Sequence, residues 1–167
     1  MSQPHADRPQ MPGYGIGDAT MGTGLLPWAW AKERLMTSRN YWLATTWPDG
    51  RPHVTAVWAV WHDDSVWLSC GGLSRKAKNL RHNPRCVVTS DDATDPVVME
   101  GVAEFVTSDS DLAVFLVLVN HKYEMSFDLD FVDPERNATI RIRPNRVFGM
   151  LQEDFGGSPT RWTFETE

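Results

Sequence analysis

A short basic stretch after a predicted strand holds the residues best suited to binding chemistry. It carries five cations in close succession: Arg75, Lys76, Lys78, Arg81 and Arg85. Ser74 is a good helix N-cap, so Arg75 and Lys76 are predicted to lie on the first turn of a helix. Backbone N–H groups are free there and the helix dipole is positive, so two cations are unfavourable unless an anion binds beside them. Ser74, Arg75 and Lys76, hereafter the basic turn, are therefore predicted to hold a phosphate group.

The residues around the basic turn leave a second interpretation open. Gly71 and Gly72 precede Ser74 and let the backbone approach a ligand closely. The GxxxxGK pattern of a Walker loop is absent. On the residues alone, the stretch is either a phosphate site or a solvated amphipathic helix whose basic side chains face water.

The composition excludes several classes of protein. The chain has 167 residues, enough for one domain with its own core, and a formal net charge of −6. A general nucleic-acid binder is usually basic across a face, so this charge argues against one. The sequence has no apolar run long enough to span a bilayer and no signal-peptide pattern at its start, so we expect a cytoplasmic protein without membrane contact.

Other residues with catalytic potential carry weaker signals. Cys70 and Cys86 lack CxxC spacing and are predicted to be buried thiols. The five histidines are spread along the chain, so no metal site is predicted. His121, Lys122 and Tyr123 end a predicted helix, where cations suit the dipole, and a structural role is predicted for them.

The elements that must position the basic turn are predicted to be short antiparallel strands. Residues 1–24 lack any period and are interpreted as a flexible tail before a single domain, residues 25–167. Strands are predicted where aromatic and β-branched residues gather between turn signals, and helices near Pro27, after Ser74 and over residues 108–123. The fold class is mainly β: a small β-barrel with two or three peripheral helices. The predicted strands cover residues 40–47, 52–61, 65–70, 85–92, 96–107, 138–144, 146–152 and 160–165.

Two long stretches resemble the pyridoxamine 5'-phosphate oxidase-like superfamily. They are "TTWPDGRPHVTAVWAVWHDDSVWLSCGGLSRKAKNLRHNPRCVVTSDD" and "VVMEGVAEFV", and the ending "RPNRVFGM…TRWTF" is similar too. The likeness is greatest to the actinobacterial branch that uses flavin or the deazaflavin coenzyme F420. It covers residues 27–107 well, whereas residues 108–137 match poorly. The resemblance implies a split β-barrel, a homodimer, and a cofactor site at the subunit interface.

The resemblance also assigns roles to particular residues. It places the cofactor phosphate on the basic turn, with the Ser69 hydroxyl nearby. It sets the edge of the tricyclic ring against Val57, Trp58 and Ala59, hereafter the ring-contact segment. It brings Arg161 and Trp162 to the site from near the chain end. With eight tryptophans in the chain, we name Trp58, Trp61 and Trp162 as candidate walls of a flat cavity above the ring.

Two departures from the family pattern bear on the cofactor. Pyridoxamine phosphate oxidases carry an Arg and a Lys on the second strand that help to hold FMN, and this sequence has Ala56 and Trp61 there. The change favours coenzyme F420 over FMN, and disfavours pyridoxamine phosphate as substrate. It also leaves open a protein that binds a flavin, deazaflavin or haem-like ligand without turnover, or a relative with no cofactor. No residue is assigned as a catalytic acid or base.

Overall fold

Within residues 3–165, which the computed structural model describes, nine antiparallel strands form one sheet and three α-helices pack against it. The prediction of a mainly β split barrel with peripheral helices is confirmed. The helices are α1 (Trp28–Thr37), α2 (Arg75–His82) and α3 (Asp109–Tyr123), with 3-10 turns at Leu129–Val132 and Gln152–Asp154. The strands are β1 (His5–Asp7), β2 (Tyr41–Thr46), β3 (Pro52–Val57), β4 (Val60–His62), β5 (Ser65–Gly71), β6 (Arg85–Ser90), β7 (Val97–Val106), β8 (Asn137–Gly149) and β9 (Thr160–Thr163). No helix in this described part is long and apolar enough to cross a bilayer.

The long strand β8 joins the parts of the sheet. The main path runs β1-β9-β8-β7-β6-β2-β3, and β5 also pairs with β8 and carries β4 on its other side. A bulge interrupts the ladder between β7 and β8: Glu100 pairs with Arg146 and Gly101 with Pro144, so Asn145 is the extra residue on β8. A Cβ on Gly101 would collide with the carbonyl oxygen of Arg143, so this close approach requires glycine. The bulge also accommodates Pro144, which cannot donate to a ladder.

The side chains of β2 point alternately to the core and to an outer face of the sheet. Tyr41 and Leu43 are fully buried, whereas Trp42 between them is 50% exposed. The register places Ala56 opposite Trp42 and Val54 opposite Ala44 on β3. Because directly paired residues lie on the same face of a sheet, the outer surface of β2 and β3 is largely apolar.

Three predicted boundaries differ from the structure. The predicted strand over residues 52–61 is two strands, β3 and β4, because Trp58 and Ala59 leave the ladder. The two strands predicted over 138–152 are one, since β8 continues through Pro144 at the bulge. Part of the predicted N-terminal tail, β1, pairs with β9, with Ala6 opposite Trp162. The mobility of the remaining tail stays a prediction, and residues 1 and 2 lie outside the described part.

Candidate functional site

The basic turn opens helix α2, as its sequence predicts. The Ser74 hydroxyl accepts a hydrogen bond from the backbone N–H of Ala77 at 3.4 Å, so Ser74 is the N-cap. Ala77 and Leu80 are buried against the barrel, which leaves the other face of the helix toward solvent. Among the described residues, the backbone N–H groups of Arg75 and Lys76 have no acceptor. Two donors at the positive end of a helix are thus free for an anion.

Within residues 3–165, the cations of this stretch have no carboxylate partners. The ion pairs of the described chain lie elsewhere, such as Lys32 with Asp64 and Arg161 with Asp7. Across residues 3–165, none of the five cations predicted to cluster here is within ion-pair distance of a carboxylate. In a chain of net charge −6, this leaves a local concentration of uncompensated positive charge.

Arg75 is held by an aromatic ring instead of a carboxylate. Its guanidinium carbon lies 3.7 Å from the centroid of the Trp47 ring, and that of Arg51 lies 4.5 Å from the same centroid. A cation–π contact uses the flat face of the guanidinium and leaves its N–H edges free. Arg75 is therefore ordered and still able to donate to an anion.

The end of β5 brings only part of the predicted phosphate site together. The Ser74 hydroxyl donates to the Cys70 thiol at 3.4 Å, so Cys70 lies directly beside the basic turn. Ser69 is the neighbour of Cys70 on the strand, and successive side chains point to opposite faces. The Ser69 hydroxyl therefore lies on the opposite face from Cys70, where it contacts the carbonyl oxygen of Phe131 at 3.4 Å and the hydroxyl of Thr139 at 3.5 Å. Cys70, and not Ser69, is the β5 side chain that contacts the basic turn.

The ring-contact segment forms the break between β3 and β4. Val57 and Ala59 are buried, whereas the Trp58 side chain is 45% exposed. The Trp58 ring stacks on Tyr123 with centroids 4.4 Å apart and planes inclined by 4°. Tyr123 is the last residue of α3. Its contact with this segment was not predicted from the sequence.

Lys122 adds a half-buried charge to the same place. Its Nζ donates to the carbonyl oxygen of Ala59 at 2.8 Å and to the Tyr41 hydroxyl at 2.9 Å. Burial lowers the pKa of Lys122 to about 8, an effect that Asp91 opposes. Burial also raises the pKa of Tyr41, so that phenol stays protonated near neutral pH. These contacts are consistent with the structural role predicted for Lys122 and Tyr123. Both side chains also hydrogen-bond to Ala59, a member of the ring-contact segment.

Trp162 does not lie where the resemblance suggests. It is fully buried in the core of its own chain, at 5.7 Å from Trp28 and 6.4 Å from Trp30 between ring centroids. The alternation of β9 turns Trp162 inward, and α1 covers it. A side chain with no exposed surface cannot form the wall of a ligand cavity, so we correct this assignment to a core residue. Trp61, another proposed wall, is partly buried against Trp28.

Two surface clefts lie apart from these residues. One, of about 1000 Å³, is lined by the terminal strands with His5, Glu104 and Arg143. The other, of about 610 Å³, lies near the bulge and includes Arg85 and Arg146. Neither cleft is lined by the basic turn or the ring-contact segment.

Comparisons with known proteins agree on one fold. The family model described as pyridoxamine 5'-phosphate oxidase matches residues 30–151. A conserved hypothetical protein from Mycobacterium tuberculosis is similar at 29% identity and a TM-score of 0.64, over 83% of this chain and 85% of that one. A comparison with curated proteins gives no match.

Two further solved structures share the fold at lower identity. An F420 reductase is 24% identical with a TM-score of 0.58, over 70% of this chain and 94% of that one. The haem storage protein HutZ of Vibrio cholerae is 21% identical with a TM-score of 0.59, over 72% and 92%. At these identities the likeness establishes the fold alone.

Proposed function

Since the chain belongs to the pyridoxamine 5'-phosphate oxidase family, we propose that it is a flavin-type oxidoreductase. More specifically, it is a coenzyme F420-dependent reductase of a flat, conjugated small molecule. The observation that carries the proposal is the basic turn, where two backbone N–H groups and two cations meet that have no acceptor and no carboxylate partner among the described residues. The similar fold of an F420 reductase supports the choice of cofactor.

The basic turn fits a phosphate group on charge and on space. The carboxylates of the described chain do not fill it, and a Cβ added to Gly71 would meet open space. Charge-assisted hydrogen bonds contribute about 1.5–3 kcal/mol each, and a micromolar affinity needs about 8 kcal/mol. Three or four such bonds from the basic turn supply much of that affinity after the cost of association.

The ring end of the site favours a deazaflavin. Ala56 and Trp61 stand where FMN-binding relatives carry an Arg and a Lys, so these two positions bring no positive charge to the ring. When bound, the reduced cofactor supplies a hydride. The chain holds the phosphate on Arg75 and Lys76 and orients the ring against the ring-contact segment.

Equilibrium titration tests the proposal directly. Coenzyme F420 and FMN, each oxidised and reduced, are titrated separately into the purified protein and followed by absorbance and fluorescence. We expect coenzyme F420 to bind more tightly than FMN. Failure of both to bind below about 100 µM, which corresponds to about 5.5 kcal/mol, rules out the proposed function.

A paired substitution tests the phosphate site. Arg75→Ala with Lys76→Ala is expected to weaken coenzyme binding about a hundredfold or more, because two charge-assisted contacts are lost. Lys78→Ala with Arg85→Ala removes the same charge from exposed positions on the same stretch and serves as the matched control. Equal losses in both pairs would mean that only the general positive field matters.

A second candidate is a binding protein of the same fold without turnover. The lack of an Arg and a Lys at positions 56 and 61 and the similar fold of a haem storage protein favour it. The absorbance spectrum of the purified protein separates the two candidates. A bound chromophore that passes no electrons to any offered acceptor supports the binding protein.

The proposed enzyme is a cytoplasmic homodimer with its cofactor at the subunit interface. Trp42 and Val54 leave an apolar outer face on β2 and β3, which a second copy would cover. The position of both clefts away from the basic turn supports a site that one chain does not enclose. The cysteines are not disulfide-bonded, in keeping with a reducing compartment.

A further inference from the structure

Ala59 interrupts the sheet because side chains of α3 use both of its backbone polar groups. Its N–H donates to the Tyr123 hydroxyl at 2.8 Å, and its carbonyl oxygen accepts from Lys122 Nζ at 2.8 Å. Neither group is then left for a neighbouring strand. The end of α3 therefore sets the backbone course at the break between β3 and β4.

The Tyr123 hydroxyl joins two segments that are remote in sequence. Its oxygen accepts from Ala59, and its single hydrogen has two acceptors within reach, the carbonyl oxygens of Arg39 at 2.7 Å and Ala59 at 3.1 Å. The Arg39 carbonyl oxygen is the nearer acceptor, and the Ala59 carbonyl oxygen already accepts from Lys122, so the hydrogen is assigned to Arg39. Burial raises the pKa of Tyr123, which keeps this hydrogen in place at neutral pH.

The Tyr123 ring supports Trp58 from one side. The two rings are nearly parallel, with centroids 4.4 Å apart, and Trp58 remains 45% exposed. The contact covers much of one indole face, so the exposed area can take a second flat ring. Stacked aromatic pairs hold a fixed orientation better than a lone surface side chain does.

We propose that Tyr123 is a positioning residue for the cofactor ring: its hydroxyl shapes the backbone at Ala59 and its ring holds Trp58 as a stacking platform. This inference rests on the proposed function, since it takes the bound ring to be a flavin or deazaflavin. It extends the site into α3, to which the resemblance assigned no site residue.

Substitutions that separate the ring from the hydroxyl test the inference. Tyr123→Leu removes both and is expected to raise the dissociation constant of coenzyme F420, or of FMN if that is the cofactor bound, about tenfold, the loss expected from one stacked contact. Tyr123→Phe keeps the stack and is expected to give a smaller rise. Trp58→Leu, at an exposed position that spares the core, is expected to match Tyr123→Leu and to increase the fluorescence of the bound ring. Tyr14→Leu, in the exposed N-terminal segment, is the matched control and leaves affinity unchanged.

Inorganic phosphate distinguishes positioning from general damage. Phosphate bound at the basic turn should protect Cys70 from alkylation, because Cys70 contacts Ser74. This protection measures binding at the basic turn and does not depend on the ring-contact segment. We expect this protection to be unchanged in all four variants. The inference is overturned if Tyr123→Leu and Trp58→Leu bind the cofactor like the wild type, or if Tyr123→Leu also loses phosphate protection. If the wild type binds neither cofactor, the proposed function fails and the inference with it.

Discussion

The guanidinium of Arg75 lies flat enough on Trp47 to place its central carbon 3.7 Å from the ring centroid. Trp47 follows β2 and Arg75 opens α2, so the contact joins the strand end to the basic turn. A carboxylate in this position would neutralise the charge that the ring leaves intact. The arrangement orders the cation before any anion arrives, which lowers the entropic cost of binding.

Loss of the Trp47 ring should weaken cofactor binding through Arg75. We expect Trp47→Leu to raise the dissociation constant about three- to tenfold, the range of a partly exposed cation–π contact, and Trp47→Phe to keep most of the affinity. In an Arg75→Ala background, Trp47→Leu should cause no further loss. A loss of the same size in both backgrounds would show that Trp47 acts independently of Arg75.

The two cysteines should report occupancy of the basic turn. Cys70 is half-buried beside Ser74, whereas burial raises the pKa of Cys86 to about 12. We expect iodoacetamide to alkylate Cys70 quickly and Cys86 very slowly, because the thiolate is the reactive form. Saturating cofactor should slow the fast reaction, and Cys70→Ser should abolish it. If saturating cofactor leaves the alkylation rate of Cys70 unchanged, the cofactor phosphate does not bind at the basic turn.

Titration of Lys122 should make a contribution to the stability of the protein that grows as the pH rises above about 8. The pKa of Lys122 is about 8 in the folded chain, against an ordinary value of 10.5. Above pH 8 the unfolded chain keeps this proton while the folded chain loses it, so stability increases with pH in that window. Below pH 8 both forms are protonated and this contribution to the slope vanishes. The charged and titratable groups around Lys122 are Arg39, Tyr41, Asp91 and Tyr123.

Comparison with Lys122→Met isolates this effect. The free energy of unfolding is measured with urea at pH 7, 8, 8.5 and 9, because unfolded tyrosine, with a pKa of about 10, ionises mainly above this range. We expect the wild type to gain stability relative to the variant from pH 8 upward. Parallel profiles across the whole range would contradict the lowered pKa.

A carboxylate on the apolar outer face should disrupt the proposed homodimer. Val54→Glu places a charge on β3, opposite Ala44 on the same outer face as Trp42, and burying it between two subunits is costly. We expect this variant to be monomeric by sedimentation at concentrations where the wild type is dimeric. Val117→Glu, the same change at an exposed position on α3, is the control and should stay dimeric. If the wild type sediments as a monomer, the homodimer proposal is wrong.

Much of the fold could be predicted because its signals are local. The Ser74 cap, the buried Ala77 and Leu80 face of α2, and the alternation of β2 each depend on residues only a few positions apart. The basic turn belongs to the same class, since a strand end, a cap and two cations are adjacent in the chain. The structure agrees with these predictions because short-range geometry determines them.

Contacts between distant segments could not be predicted in this way. The sequence marks Trp162 only as an aromatic residue near the chain end, and its burial depends on how α1 packs over β9. The hydrogen-bond partners of Ala59 could not be predicted from the sequence either, because Tyr123 lies 64 positions further along the chain. By itself the sequence determined that Ser74 caps a helix whose first turn carries two cations, which is where a phosphate site is predicted. Only the tertiary structure decided which aromatic ring stands beside the ring-contact segment and which is enclosed in the core, because packing, rather than neighbouring residues, sets the environment of each large side chain.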